Sequence, residues 1–215
     1  MYHPQRFVVF FIFLSLTACS TLYFGGLEKI GIPKRDVMVY RVEKAKDTQE
    51  ETKEQFKSAL EQFTAVTNFK GDDLEAIYNR LNHEYEASLD KAKEVNERIA
   101  DIEDVAEALF NEWEEEITKY SNSTLKRNSQ QKLNVTKTHY RKLITSMKNA
   151  ANKIEPVLRV FKDQVMFLKH NLNAKAISSL KGELTTIKSD VSSLISSMEK
   201  SIDEANAFIE MMTAK

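Results

Sequence analysis

The fold is decided by residues 73–120, which read DLEAIYNRLNHEYEASLDKAKEVNERIADIEDVAEALFNEWEEEITKY. A mean spacing of 3.5 residues between apolar positions is typical of helices that wrap around neighbouring helices. This stretch keeps that spacing, in unbroken steps of four and three, at Leu74, Tyr78, Leu81, Tyr85, Ser88, Ala92, Val95, Ile99, Ile102, Ala106, Leu109 and Trp113. The pattern predicts a helix ~70 Å long, at 1.5 Å per residue, that packs against partners along its whole length.

Three further stretches repeat the same spacing, at residues 35–69, 123–171 and 174–213. The connections between them are short, so each helix should run antiparallel to the next. Only five Gly and three Pro occur in 215 residues, which favours long helices. We therefore predict an all-α fold, an elongated, antiparallel, coiled-coil-like four-helix bundle that occupies residues 35–215. The first seam runs through Met38, Val42, Ala45, Gln49, Thr52, Phe56, Ala59, Phe63 and Val66.

Pro156 lies inside the third seam. A proline removes one backbone hydrogen bond and bends a helix, but the heptad phase is the same on both sides of this one. We therefore expect one kinked but continuous helix. In contrast, the phase jumps by two positions across residues 170–173, which predicts that the chain turns there.

The N-terminus has the pattern of a bacterial lipoprotein signal. Arg6 precedes an apolar run at residues 7–16 that is short for a membrane span, and Leu16, Thr17, Ala18 and Cys19 then form a lipobox. Residues 1–18 are thus predicted to be a signal peptide, and residues 19–34 a lipidated N-terminus with an apolar linker. An ordinary secretory signal or an uncleaved anchor is the alternative. Cys19 is the only cysteine, so it has no partner for an internal disulfide.

Charge is unevenly divided between the second and third helices. Residues 73–120 carry 15 acidic and five basic side chains, net −10, whereas residues 123–170 carry eleven basic and two acidic ones, net +9. Complementary charges next to a seam select partners, so we expect these two helices to lie side by side. The basic helix could instead meet phosphates or anionic lipid. The whole chain has a net charge of only −1, which disfavours nucleic acid as a partner.

No catalytic or metal-binding pattern is present in the sequence. A di-iron bundle needs Glu-x-x-His on two helices, and residues Arg80, Thr136 and Phe167 stand where those glutamates would be. The acidic cluster of Glu112 and residues 114–116 could bind a cation, but we favour a solvated face opposite Lys126 and Arg127. We therefore expect no catalytic residue, no metal and no cofactor other than the covalent lipid on Cys19.

One end of the bundle collects polar side chains from two turns. If both turns reverse the chain, they meet at the end remote from Cys19, where we predict a partner contact. The alternative is that the Asn and Asp side chains merely cap helices. The candidate contact residues are Lys169, His170, Asn171, Asn173, Asp72 and Asp73.

Three motifs accompany the lipobox. They are LEKIGIPKRD at residues 27–36, LFNEW at residues 109–113 and DQVMFLKHNLN at residues 163–173. With them the chain resembles a family of Gram-negative lipoproteins described only as a domain of unknown function. The resemblance covers nearly all of the mature chain, and it implies an envelope location and a helical fold without any assigned activity.

These observations predict a lipoprotein anchored to the periplasmic face of the outer membrane, since Ser20 follows the lipidated cysteine. It is expected to be a non-enzymatic scaffold, spacer or adaptor for another envelope component, with an envelope protein and, through the anchor, the membrane as its partners. One alternative is a membrane-surface protein whose basic third helix binds anionic lipid, and a minor one is a metal-binding or enzymatic bundle. The oligomeric state does not follow from the sequence.

The lipobox gives a first test. Replacing Cys19 with Ser removes the thiol that would be acylated, so palmitate labelling should be lost and unprocessed precursor or a soluble species should appear. Metabolic labelling and membrane fractionation measure both effects. Normal labelling of the variant in the outer membrane would show that the lipobox interpretation is wrong.

Overall fold

A computed structural model describes residues 31–67, 73–171 and 174–214, with the backbone alone at residues 174–179. The predicted signal peptide and Cys19 lie outside these residues, and so does the predicted linker up to residue 30. The described helices are α1 (Lys34–Thr67), α2 (Leu74–Lys119), α3 (Ser123–Ala151), α4 (Ile154–His170) and α5 (Ala174–Thr213).

The helices form four antiparallel rods, with α3 and α4 making up one of them. α1 packs against α2 and α5, and both of these pack against the α3–α4 rod. Each rod thus has two neighbours, and their apolar stripes meet in one continuous core. α2 has 46 residues and is ~69 Å long at 1.5 Å per residue. The predicted all-α antiparallel four-helix bundle is confirmed.

Polar contacts show how α1 and α2 are aligned. Gln55 Nε2 donates to Glu84 Oε2 at 2.8 Å, and Thr48 Oγ1 donates to Glu94 Oε1 at 3.2 Å. Lys91 Nζ lies 2.5 Å from Glu51 Oε2. Residues later in α1 therefore face residues earlier in α2, as a tight reversal between the two helices requires.

The core follows the predicted seams closely in α1 and less closely in α2. Every seam position of α1 is buried. In α2, Leu74, Tyr78, Tyr85 and Trp113 are only partly buried, although they lie on the seam. Because α2 packs on two sides, against α1 and against the α3–α4 rod, positions next to the seam are covered as well. These additional buried residues are Ile77, Val105, Phe110 and Ile117.

The prediction of one continuous third helix over residues 123–171 is wrong in one detail. α3 ends at Ala151, and α4 begins at Ile154 after a two-residue turn. Pro156 has no N–H to donate to the carbonyl of Asn152, and its ring would clash with that carbonyl in a regular helix. Asn152 and Lys153 keep right-handed helical dihedral angles, with Asn152 N donating to Lys148 O at 2.9 Å. The chain direction and heptad phase are therefore preserved across the interruption.

Side-chain caps define the turn between α2 and α3. Tyr120 is extended at the end of α2. The side-chain oxygen of Asn122, Oδ1, accepts hydrogen bonds from Thr124 N at 2.9 Å and Leu125 N at 3.0 Å. These bonds satisfy two of the free N–H groups at the start of α3. The polar break predicted near residues 121–123 is thus a capped, tight reversal.

Phe161 of α4 occupies the centre of the core and reaches across to α1. Its ring stacks on Phe63 with centroids 4.5 Å apart and on Phe56 at 6.1 Å, and all three side chains are fully buried. These contacts connect two rods that are not neighbours in the bundle.

Truncating this ring should strongly destabilise the protein. We expect Phe161→Ala to lower the free energy of unfolding by ~3–5 kcal/mol, because it removes a buried ring and leaves a cavity. Phe167→Ala is the matched control, since Phe167 is 39% exposed and its loss should cost under ~1 kcal/mol. Urea denaturation followed by circular dichroism measures both. Equal losses in the two variants would contradict the central position of Phe161.

Candidate functional site

The bundle has two ends with different character. We call the end where α1 begins and the α2–α3 turn lies the proximal end. The distal end is where α2 begins and α4 finishes, and it holds the residues predicted to contact a partner. Of these, Asp73, Lys169, His170 and Asn171 are described, whereas Asp72 and Asn173 lie outside the described residues.

Asp73 and Asn171 have capping roles at the distal end. The Asp73 carboxylate accepts a hydrogen bond from Ala76 N at 2.9 Å, which caps the start of α2. At the end of α4, Asn171 N donates to Leu168 O at 3.1 Å, and Asn171 Nδ2 donates to Phe167 O at 3.0 Å. The capping interpretation therefore accounts for these two side chains.

Lys169 and His170 are different, because both side chains are exposed in the last turn of α4. Met166 precedes them by three and four residues and is 49% exposed. Side chains with this spacing lie on one face of a helix. We call this surface the distal face, defined by Met166, Lys169 and His170.

Sequence reasoning missed Met166. It lies off the heptad seam, next to Phe167, which is also off the seam and 39% exposed. Two consecutive large apolar residues outside a seam are the signal that could have found it. The helix that carries the distal face is packed against the bundle, because its residues Val165 and Leu168 are buried in the core. It combines one flexible apolar side chain with hydrogen-bond donors, a composition that suits protein contacts.

The predicted pairing of the acidic and basic helices is confirmed, since α2 packs against α3. Lys137 Nζ lies 2.6 Å from Glu114 Oε1, and Lys148 Nζ lies 2.5 Å from Glu103 Oε1. Both ion pairs are partly exposed, so they contribute little stability and serve mainly to select the neighbour.

Residues 114–116 near Trp113 are exposed, as the predicted solvated face requires, and two acidic residues of the cluster pair with lysines other than Lys126. Glu112 Oε1 lies 3.1 Å from Lys34 Nζ, and Glu114 pairs with Lys137. Among the described residues, Lys126 and Arg127 form no ion pair with this cluster. Trp113 Nε1 donates to Ser129 Oγ at 2.9 Å, so the indole joins α2 to α3. The described part of the chain contains no group of three or more side chains that could hold a metal ion.

Among the described residues, Tyr140 has the largest shift in pKa. It packs edge-on against Phe110, with centroids 5.4 Å apart. Burial and, to a lesser extent, the negative charges of Glu103 and Glu107 raise the pKa of Tyr140 to about 12. All of these causes disfavour the phenolate, so the hydroxyl stays protonated at neutral pH and is not a candidate general base.

This shift predicts a pH dependence of stability. An unfolded Tyr ionises near pH 10, whereas folded Tyr140 keeps its proton to about pH 12, so rising pH favours the unfolded chain. The contribution is complete below pH 10 and is lost as pH rises toward 12. Tyr140→Phe has no hydroxyl to ionise at this position. Between pH 9 and 11.5 its free energy of unfolding should therefore fall by on the order of 1–2 kcal/mol less than that of the unaltered protein. Parallel pH profiles in urea denaturation would contradict the assignment.

None of the described helices is both long and apolar enough to cross a membrane. A search of curated proteins and a search of solved structures both return no match. A family model matches residues 23–212, which include all five helices of the bundle almost completely. The chain therefore belongs to the family described as "protein of unknown function (DUF2959)".

Proposed function

We propose that the protein is a lipoprotein anchored to the periplasmic face of the outer membrane, where it acts as a non-enzymatic scaffold, spacer or adaptor for another envelope protein. The lipobox at residues 16–19 supports the anchor, and Ser20 supports the outer membrane. In this role the bundle is a rigid rod that is attached to the membrane at one end.

The observation that carries this proposal is the separation of the two ends. α1 begins at the proximal end, and only 14 residues lie between Cys19 and Lys34. A fully extended linker spans ~50 Å, so the proximal end stays within that distance of the anchored cysteine. The distal face lies at the opposite end of rods of which α2 alone is ~69 Å long. A side chain there would be presented well away from the bilayer.

The chemistry of the distal face suits a protein partner. Met166 offers a flexible apolar contact, and Lys169 and His170 offer donors at its edge. Methionine is enriched where protein surfaces bind, and polar groups around an apolar contact set the orientation. The face is on a helix held by the core, so a partner would meet it without refolding.

Crosslinking in intact envelopes tests the proposal. We expect Lys169→Ala with His170→Ala to remove the crosslinked partner band, while helicity and melting temperature stay nearly unchanged because both side chains are exposed. The matched control is Lys142→Ala with His139→Ala, which removes the same residue types from the middle of the bundle. The control should keep the band. A band that survives in the first variant would show that the distal face is not the docking surface.

A second candidate function rests on the charge of α3. No acidic residue occurs between Ile117 and Ile154, and nine Lys or Arg residues do. Exposed basic side chains along a helix attract anionic headgroups. A protein lying flat on the bilayer through α3 would bind anionic vesicles along its whole length, with an affinity that falls steeply as salt rises.

A further inference from the structure

The α2–α3 turn carries exposed apolar and basic side chains together. We call residues 119–127, with the sequence KYSNSTLKR, the proximal tip. Tyr120 is 42% exposed and Leu125 is 53% exposed, and Lys119, Lys126 and Arg127 are exposed beside them. The tip has a net charge of +3 and no acidic residue.

The packing of the bundle does not explain why the proximal tip combines exposed apolar and basic side chains. Tyr120 and Leu125 are among the most exposed large hydrophobic residues of the described chain, so they contribute little to its core. Lys126 and Arg127 lie within the first five residues of α3, near the positive end of its dipole, where acidic residues are more stabilising. α1, α2 and α4 carry an acidic residue in their first turn, whereas α3 and α5 do not. Exposed side chains that the packing does not require are candidates for a function.

The tip also projects beyond the start of α1. Lys34, the first residue of α1, pairs with Glu112 of α2. α2 continues for seven more residues to Lys119, ~10 Å further along its axis. The α2–α3 hairpin therefore extends past the start of α1 at the proximal end. This is the end at which the chain enters the bundle from the predicted lipidated cysteine.

We propose that the proximal tip contacts the headgroup region of an anionic phospholipid bilayer and holds the bundle upright on it. The proposal rests on the lipid anchor proposed above, which brings this end to the membrane. Tyr120 has the amphipathic ring favoured at the membrane interface, and Leu125 adds apolar area beside it. Lys119, Lys126 and Arg127 supply positive charge toward anionic headgroups. The lipid and the tip thus form two attachment points, whereas a lipid alone would leave the rod free to tilt.

This arrangement differs from a protein that lies flat through α3. In the upright orientation only the tip meets lipid. Asn149, which is exposed on α3, then stands ~40 Å from the tip along the helix, and Met166 stands further away. In the flat orientation Leu125 and Asn149 would both touch the bilayer. The two orientations can therefore be separated by measuring depth at three positions.

The experiment uses the full chain, processed in a Gram-negative host, purified and reconstituted into phosphatidylethanolamine and phosphatidylglycerol vesicles. Leu125→Cys, Asn149→Cys and Met166→Cys are each labelled with an environment-sensitive fluorophore, while an acylated Cys19 stays unlabelled. Quenching by brominated lipid should be at least threefold stronger at position 125 than at positions 149 and 166. Equal quenching at 125 and 149 would overturn the upright contact in favour of the flat orientation, and no quenching at 125 would overturn the tip contact.

Charge reversal gives the matched comparison. Lys126→Glu with Arg127→Glu, in the Leu125→Cys background, should reduce quenching at position 125 to the level at position 149. Arg159→Glu with Lys162→Glu, which reverses the same two residue types at exposed positions of α4, should leave it unchanged. Replacing phosphatidylglycerol with phosphatidylcholine should also weaken the quenching.

Flotation with the vesicles separates this proposal from the lipid anchor. The charge-reversed protein should still float, because its lipid is intact. If the unaltered protein does not float and its Cys19 reacts with the fluorophore, the anchor is overturned and the tip proposal with it. If it floats without quenching at position 125, the tip contact alone is overturned.

Discussion

An apolar stripe that runs the length of a 46-residue helix has to be covered everywhere, and the rest of the bundle depends on this constraint. α1 covers one side of α2, and the α3–α4 rod covers the other. α5 then closes the core between α1 and the α3–α4 rod. Hydrophobic burial supplies most of the stability of such a bundle, since isolated helices are marginal in water.

Polar side chains fix the register between helices whose apolar stripes pack together. Arg41 donates to the Asp101 carbonyl and Gln55 to Glu84, so contacts between α1 and α2 recur at matching levels along the pair. Gln49 lies on the seam and is only 1% exposed, and its amide makes no hydrogen bond within the described residues. A polar residue at a seam position costs stability, and in coiled coils such residues select one register over others. The α1–α2 pair thus combines an apolar stripe with polar features that discriminate against slipped pairings.

The sides and the ends of the bundle offer different surfaces to other molecules. Along the sides, opposite charges on α2 and α3 meet in ion pairs within the chain, as at Glu103 and Lys148. Large apolar side chains are exposed at both ends, with Tyr120 and Leu125 at one and Met166 at the other, and others are exposed along the sides, as at Tyr40 and Val135. At each end the exposed apolar side chains have basic neighbours, and a rod with such surfaces at both ends is suited to linking two objects. Both proposals use this feature, one for a bilayer and one for a protein.

The heptad spacing was sufficient to determine the helical class, the approximate helix limits and the buried face of α1, because the period of apolar residues is a local property of the chain. The same local reasoning identified Lys169 and His170 as exposed at the distal end and Asp73 as a cap. It missed Met166 beside them, since a residue off the seam is exposed or covered according to which helix lies next to it.

Charge on α2 and α3 already predicted that these two helices are neighbours, but the tertiary structure was needed to show how far each rod covers the next, and with that the burial of Ile77, Phe110 and Ile117 beside the predicted seam of α2. It also located the interruption at Asn152 and Lys153, where the proline ring and the backbone carbonyl four residues before it compete for the same space. A side chain is buried only where a second helix covers it. The spacing of apolar residues along one helix does not show how far the neighbouring helix will cover the positions beside the seam.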